Sequence, residues 1–396
     1  MEQIENKIVW FEILDNSIRP PWLNEKKIRI FIPKILNNKA DGKILANFIY
    51  QNKSFPAILK AKNKIIYNFN LKETFKTILL EKFFKKKIPI YTKFPFHYHK
   101  IPFRDLIAKT LNLLQYHSYT PYYPNWPIDK SIELLKYIQA KLKAQKQKIP
   151  WPKNKKFAVA LTHDVDTGKG LSHIEDLAKI EESFNLTSCW NIVGNYYPIN
   201  HLLLSSLVSR GHEIGSHGYN HDNKLAFLPK DEIRQRFKIA LENLKDYDVK
   251  GFRSPSLLRT DALYEVLPEF FLYDSSRPDT EMFSPINFYN GCATIFPYKH
   301  NNLIELPLTI PQDAHLILLN YRPKRILEFW IKKFEFIKKL NGLAVVNTHP
   351  ETHFSANKKM MPIYKEFLEI IKKETKAWIV NPIEIANYTK KTLKEL

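Results

Sequence analysis

The chain has 396 residues, room for about two domains at roughly 100–200 residues each and for a large core. Hydrophobic residues make up 44% and charged residues 26%, which excludes wholesale disorder and gives no sign of a fibrous repeat. Lys and Arg (61) outnumber Asp and Glu (40) to leave a net charge of +21, a balance that favours anionic partners.

In the first 150 residues the β-branched runs KIVWFEI (7–13), KIRIFIP (27–33) and KIIYNFN (64–70) predict strands. After them KETFKTILLEKFF (72–84), RDLIAKTLNLLQY (104–116) and DKSIELLKYIQAKLKAQ (129–145) carry apolar residues at helical spacing. Residues 1–150 are therefore expected to form an N-terminal α+β accessory domain. The loop TPYYPNWPID (120–129) bears Tyr122, Tyr123 and Trp126, rings suited to stacking on a sugar face or to packing one domain on another. The basic, proline-containing KQKIPWPKNKK (146–156) reads as a linker.

Beyond it, short apolar runs alternate with helical stretches. Strands are predicted at 157–162, 188–193, 212–217, 251–254, 272–275, 303–308, 343–348 and 377–380, and helices at 174–184, 231–247, 325–340 and 361–373. Strand, helix, strand at this spacing argues for parallel pairing, and seven or eight such units argue for a distorted (β/α) barrel over residues 151–396. An open doubly wound sheet is the alternative, but no GxGxxG or GxxxxGK(S/T) loop follows any strand.

Chemistry-bearing residues fall at the carboxyl ends of these strands. Thr162-His163-Asp164-Val165-Asp166 follows the first, His217 ends the third, Arg253 the fourth, Asp274 the fifth and His349 the seventh. In a parallel barrel those ends share one rim, so residues nearly 190 positions apart converge there. His217 and His221 form an HxxxH pair, which on a helical turn directs both imidazoles at one ion. Asp164 or Asp166 supplies a third ligand, and two His with one carboxylate leave a coordination position open for water.

The segments THDVD (162–166), SHGYNH (216–221), RSP (253–255), YDSS (273–276) and the apolar run ending in His349 resemble, in order, the motifs of the polysaccharide deacetylases, the NodB-homology group or carbohydrate esterase family four. The resemblance spans about residues 157–385. It implies metal-dependent removal of an acetyl group from a sugar, with Asp166, His217 and His221 holding the metal and Asp164 as general base. It further implies that Arg253 orients that base, that His349 is the general acid and that Asp274 holds His349 in register. The chemistry is coherent: a divalent ion polarises the carbonyl, a carboxylate takes the proton of the attacking water, and an imidazolium protonates the departing amine. Departures are Val165 between the two aspartates, which leaves the base and ligand roles of Asp164 and Asp166 open, Ser256 after Pro255, and the missing tryptophan of the fourth motif.

The expected cofactor is one divalent ion, with zinc first and cobalt, nickel, manganese or iron as alternatives. The expected partner is a carbohydrate, free or carried on a nucleotide or lipid, during glycan or envelope biosynthesis; no specific nucleic acid is expected, because the basic residues are scattered and no binding motif accompanies them. The opening MEQIENKIVWFEILDN lacks the basic-then-apolar order of a secretory signal, and Cys189 and Cys292 are too few for a disulfide framework. These features suggest the cytoplasm, with peripheral contact to an anionic membrane surface kept open. A cyclic amide or imide hydrolase and a non-catalytic glycan-binding protein are the competing functions.

Overall fold

The structure, a computed structural model, describes residues 4–36, 41–82, 126–145, 151–152, 154–280 and 291–393. The predicted helix at 104–116, Tyr122, Tyr123 and residues 146–150 of the predicted linker lie outside the described residues. Strands β1 (Glu5–Ile13), β2 (Lys27–Lys34), β3 (Lys43–Tyr50), β4 (Lys53–Ala61) and β5 (Lys64–Tyr67) form an antiparallel sheet in the order β2-β1-β3-β4-β5. Alternation in β1 and β2 turns Val9, Phe11, Ile13, Ile28, Ile30 and Ile32 into one core. Helices Leu71–Leu79 and Ser131–Leu142 pack apolar residues into the same core. The turn between β3 and β4 has only Gln51 and Asn52 at its centre, both at positive φ, the conformation that matches a two-residue hairpin to the twist of its strands.

The second sheet contains all eight predicted strands: β6 (Phe157–Val165), β7 (Cys189–Ile192), β8 (Glu213–Ser216), β9 (Gly251–Phe252), β10 (Tyr273–Asp274), β12 (Leu303–Glu305), β13 (Leu343–Thr348) and β14 (Ala377–Ile379). They pair in parallel, in the order β12-β10-β9-β8-β7-β6-β13. β14 joins the lower half of β6 on the edge whose upper half pairs with β7. An unpredicted strand, β11 (Tyr298–His300), forms an antiparallel hairpin with β12 across Asn301 and Asn302, both at positive φ. Asparagine visits that region with little strain, so the Asn-Asn pair was the signal for this hairpin.

The sheet curls without a continuous closing ladder. Between β13 and the segment after β12, closure rests on the Ile310 N–H donating to the Val345 carbonyl at 3.0 Å and on Thr309 bridging Leu343 and Val345; the Leu343 N–H also donates to the carbonyl of Ile295, which precedes β11. This is the distorted barrel expected from the repeating strand and helix pattern. β6 is buried along its whole length: Val159 and Leu161 face the outer helices, while Ala158 and Ala160 face the interior. Each large side chain packed on these layers contributes about 1.5–3 kcal/mol.

The N-terminal sheet and the barrel share buried structure. Cys292, Ala293 and Tyr298 from the barrel half enter the core of the first sheet. Glu81, just past helix Leu71–Leu79, receives two hydrogen bonds from the Arg259 guanidinium at 2.7 and 2.9 Å and one from the Gly291 N–H at 2.9 Å. Arg277 and the Tyr298 hydroxyl both donate to the Leu79 carbonyl. Replacing Glu81 with Ala leaves Arg259 buried without its counter-charge, so chemical denaturation should show a loss of about 3–5 kcal/mol; a change within 0.5 kcal/mol, the scatter of ordinary surface substitutions, would remove this pair from the account of the junction.

Candidate active site

The rim gathers the residues that the motifs singled out. β6 carries Asp164 near its end and delivers Asp166 just beyond it, β8 delivers His217, and the loop after β8 returns His221. That loop is not a helical turn: Gly218 has φ +75° and His221 φ +55°, so the HxxxH pair is brought together by a tight, left-handed excursion. The two rings lie 5.0 Å apart between centroids. The Asp166 Oδ1 sits 3.2 Å from His217 Nε2 and 3.1 Å from His221 Nε2. All three ligand atoms fall within 4.8 Å of one another, and these residues are the one such group among the described residues.

This group fits a divalent ion. Bonds of about 2.0–2.2 Å place tetrahedral ligand atoms about 3.4 Å apart, close to the separations seen. The His217 Nδ1–H donates to the Arg253 carbonyl at 2.9 Å, leaving Nε2 with its lone pair toward the group. The Asp166 Oδ1 is buried, and its only near polar neighbours among the ligand atoms are the two imidazole Nε2 atoms at 3.1 and 3.2 Å, an arrangement that a shared cation would satisfy. Burial opposes the charge on Asp166, but His221 and His217 outweigh it and hold the carboxyl well below its usual range.

Beside the group, Asp164 accepts from Asn191 at 2.9 Å through one oxygen and from Asn347 at 2.8 Å through the other. Burial raises its pKa, yet the charges of Arg253, His217 and His349 prevail and keep it below the ordinary carboxylate value. The Arg253 guanidinium donates to Thr162 and Ser275, with a second nitrogen 3.7 Å from Asp164. The Nε2 of His349 is 3.9 Å from the same carboxylate.

Asp274 does not hold His349. Its oxygens accept from Tyr264, Ser276 Oγ and the Ser276 N–H, so it braces its own strand end. The partner of His349 is Asp313, whose Oδ1 meets His349 Nδ1 at 2.6 Å while Oδ2 accepts the His349 N–H and the Ser355 hydroxyl. Burial lowers the imidazolium pKa, but Asp313 more than reverses this and pushes it up to about 10. Asp313 begins the short helix Asp313–Leu318 and not a strand end, which is why the strand-based pattern passed over it. Asn191 and Asn347 lie inside predicted strands and carried no motif. His349 and His353 are also spaced four apart, as His349-Pro350-Glu351-Thr352-His353, but His353 is outside the metal group and lies against the Phe354 ring.

His217→Ala and His221→Ala should each reduce bound divalent metal to background with an unchanged circular dichroism spectrum; full metal content in both would remove the site. The His349 ring should titrate at lower pH in Asp313→Asn, because the charge that raises it is gone, whereas Asp274→Asn should leave its NMR titration curve in place.

Residues 152–270 match the polysaccharide deacetylase family model. A peptidoglycan deacetylase of Helicobacter pylori is 23% identical over 238 residues, spanning 52% of this chain and 80% of that protein. Among solved structures, one from Mycobacterium smegmatis assigned to the polysaccharide deacetylases superposes with a TM-score of 0.52 at 23% identity, covering 62% of this chain and 94% of the other. An allantoinase superposes with a TM-score of 0.51 at 14% identity, covering 63% and 95%; these two likenesses establish the fold. The family match spans Asp164, Asp166, His217, His221 and Arg253, so the Asp, His, His group lies within the segment of this chain that is similar to polysaccharide deacetylases.

Proposed function

We propose that this protein is a metal-dependent deacetylase acting on an N-acetylated sugar, free or carried on a nucleotide or lipid, in glycan or envelope biosynthesis. The observation that carries the reading is the pairing of opposed functions at one rim: an ionised Asp164 and a His349 imidazole 3.9 Å apart, beside the Asp166, His217 and His221 group. A divalent ion in that group, zinc in this reading, would polarise the acetyl carbonyl and acidify the attacking water.

The chain's own residues do the rest. Asp164 is the general base; Asn191 and Asn347 fix its two oxygens, and Arg253 keeps it ionised. His349 is the general acid; Asp313 fixes the proton on Nδ1 and sustains the charged ring, leaving Nε2–H to protonate the departing amine. Asp164 stays charged below the usual carboxylate range and His349 stays protonated toward about 10, so both are in their working states across neutral pH.

The test is acetate release from a panel of N-acetylated monosaccharides, nucleotide-sugars and chitooligosaccharides, with and without chelator. Release that the chelator abolishes is expected. Ring opening of a cyclic amide without acetate release would overturn the reading. Asp164→Asn should keep bound metal and lose about 10²-fold or more in rate. His349→Ala should lose roughly 10²- to 10⁴-fold on an amide and much less on an aryl acetate, whose leaving group needs little protonation; equal losses would take the acid role from His349.

A further inference from the structure

Tyr197 lies on the loop after β7, between the two arms that carry the metal group, and is used by none of the steps above. The ladder between β6 and β7 ends at the pair Val165 and Ile192, and beyond that pair the Tyr197 hydroxyl spans the two strands. It accepts from the Val193 N–H at 3.3 Å and donates to the Val165 carbonyl at 2.6 Å. Burial pushes the phenol's pKa well above its usual value, so this donor keeps its proton through neutral pH.

The other edge of the same segment holds the second arm. The His217 N–H donates to the Ile192 carbonyl at 2.8 Å, the Gly194 N–H to the Gly218 carbonyl at 3.0 Å and the Asn195 N–H to the Tyr219 carbonyl at 2.6 Å. On the outer side, Asn243 Nδ2 donates to the Gly194 carbonyl at 2.8 Å, and a Cβ at Gly194 would lie 2.5 Å from Ala240, so the loop is seated against helix Lys230–Glu242. The Val165 carbonyl belongs to the peptide plane that leads into Asp166. A bond to that oxygen therefore fixes the direction from which the Asp166 side chain leaves the backbone, and metal bonds tolerate only about 0.2 Å of error.

We infer that Tyr197 is a positioning residue whose hydroxyl, through the Val165 carbonyl, holds Asp166 in register with His217 and His221 for one ion. This rests on the reading of those three residues as the metal group.

The test titrates the full-length, metal-free protein with Co²⁺, whose visible spectrum reports coordination geometry. Tyr197→Phe removes only the hydroxyl. It should weaken cobalt binding by about 10-fold, the scale for losing a group that orients a metal ligand, and alter the visible bands while the circular dichroism spectrum stays unchanged. Tyr247→Phe is the comparison, because it removes a tyrosine hydroxyl that bonds His201 on the same barrel; it should leave the cobalt Kd and the bands at their wild-type values. A wild-type Kd and spectrum in Tyr197→Phe, or equal changes in Tyr247→Phe, would overturn the assignment while leaving the metal group intact. If the wild type binds no cobalt, the metal reading falls and this inference with it. Should Tyr197→Phe fail to fold, Asn243→Ala decides, since it frees the same loop from its outer support: a weaker, spectrally altered cobalt site is expected, and a wild-type site overturns the inference.

Discussion

Strand β6 has to satisfy two opposite surroundings with successive residues, and the site depends on that alternation. Toward the outer helices, His163 bonds Glu181 at 2.7 Å and Thr348 at 2.8 Å and stacks on Trp190 at 3.9 Å. Toward the interior, Thr162 and Asp164 meet Arg253, Asn191 and Asn347. His163 is thus a clamp between β6 and β13, one residue before Asp164 on one strand and bonded on the other to Thr348, the residue before His349. Period-two geometry makes this economical, since a single strand fixes both faces, and a one-residue slip would exchange them.

Charge balance is the second requirement. Asp164 and Asp166 are both buried and both held in the ionised form, which in a low-dielectric rim is tolerable only with nearby cations or donors. Arg253 and the two asparagines serve Asp164, the histidine pair faces Asp166, and the Asp313–His349 pair adds a cation at the edge. The arrangement separates proton-accepting from proton-donating groups by environment: Asp164 is kept ionised by the cations around it, whereas His349 is kept protonated by the anion behind it.

The N-terminal sheet is coupled to this rim through covalent neighbours of site residues. Arg259, which grips Glu81, also donates to the carbonyls of Leu257 and Ser276, and these belong to the loops that follow Arg253 and Asp274. Ser256 and Leu257 both sit at positive φ, a conformation that neither residue prefers and that the surrounding bonds must over-determine.

Much of the barrel was legible in the amino-acid sequence because strand and helix periodicities are local: β6 through β10, β12, β13 and β14 follow from runs such as FAVALT and LAVVNT, and the placement of Asp164, His217, Arg253 and His349 at strand ends follows with them. The Asp, His, His donor set was legible too, since HxxxH and THDVD are short-range patterns. Which partner each group would choose was not, because partnership is set by where loops fold back. Asp274 had the right chemistry and a strand-end position, but its strand leaves its carboxylate against Tyr264 and Ser276, while Asp313, on a helix start 36 residues before His349, is carried to the imidazole by the chain's return across the rim. The same holds for the left-handed path that joins His217 to His221, and for Glu81, whose counter-ion lies 178 residues away. Local sequence determined the elements and the reactive side chains; only tertiary packing decided which of those side chains meet, because burial makes every charge find the nearest donor in space rather than in sequence.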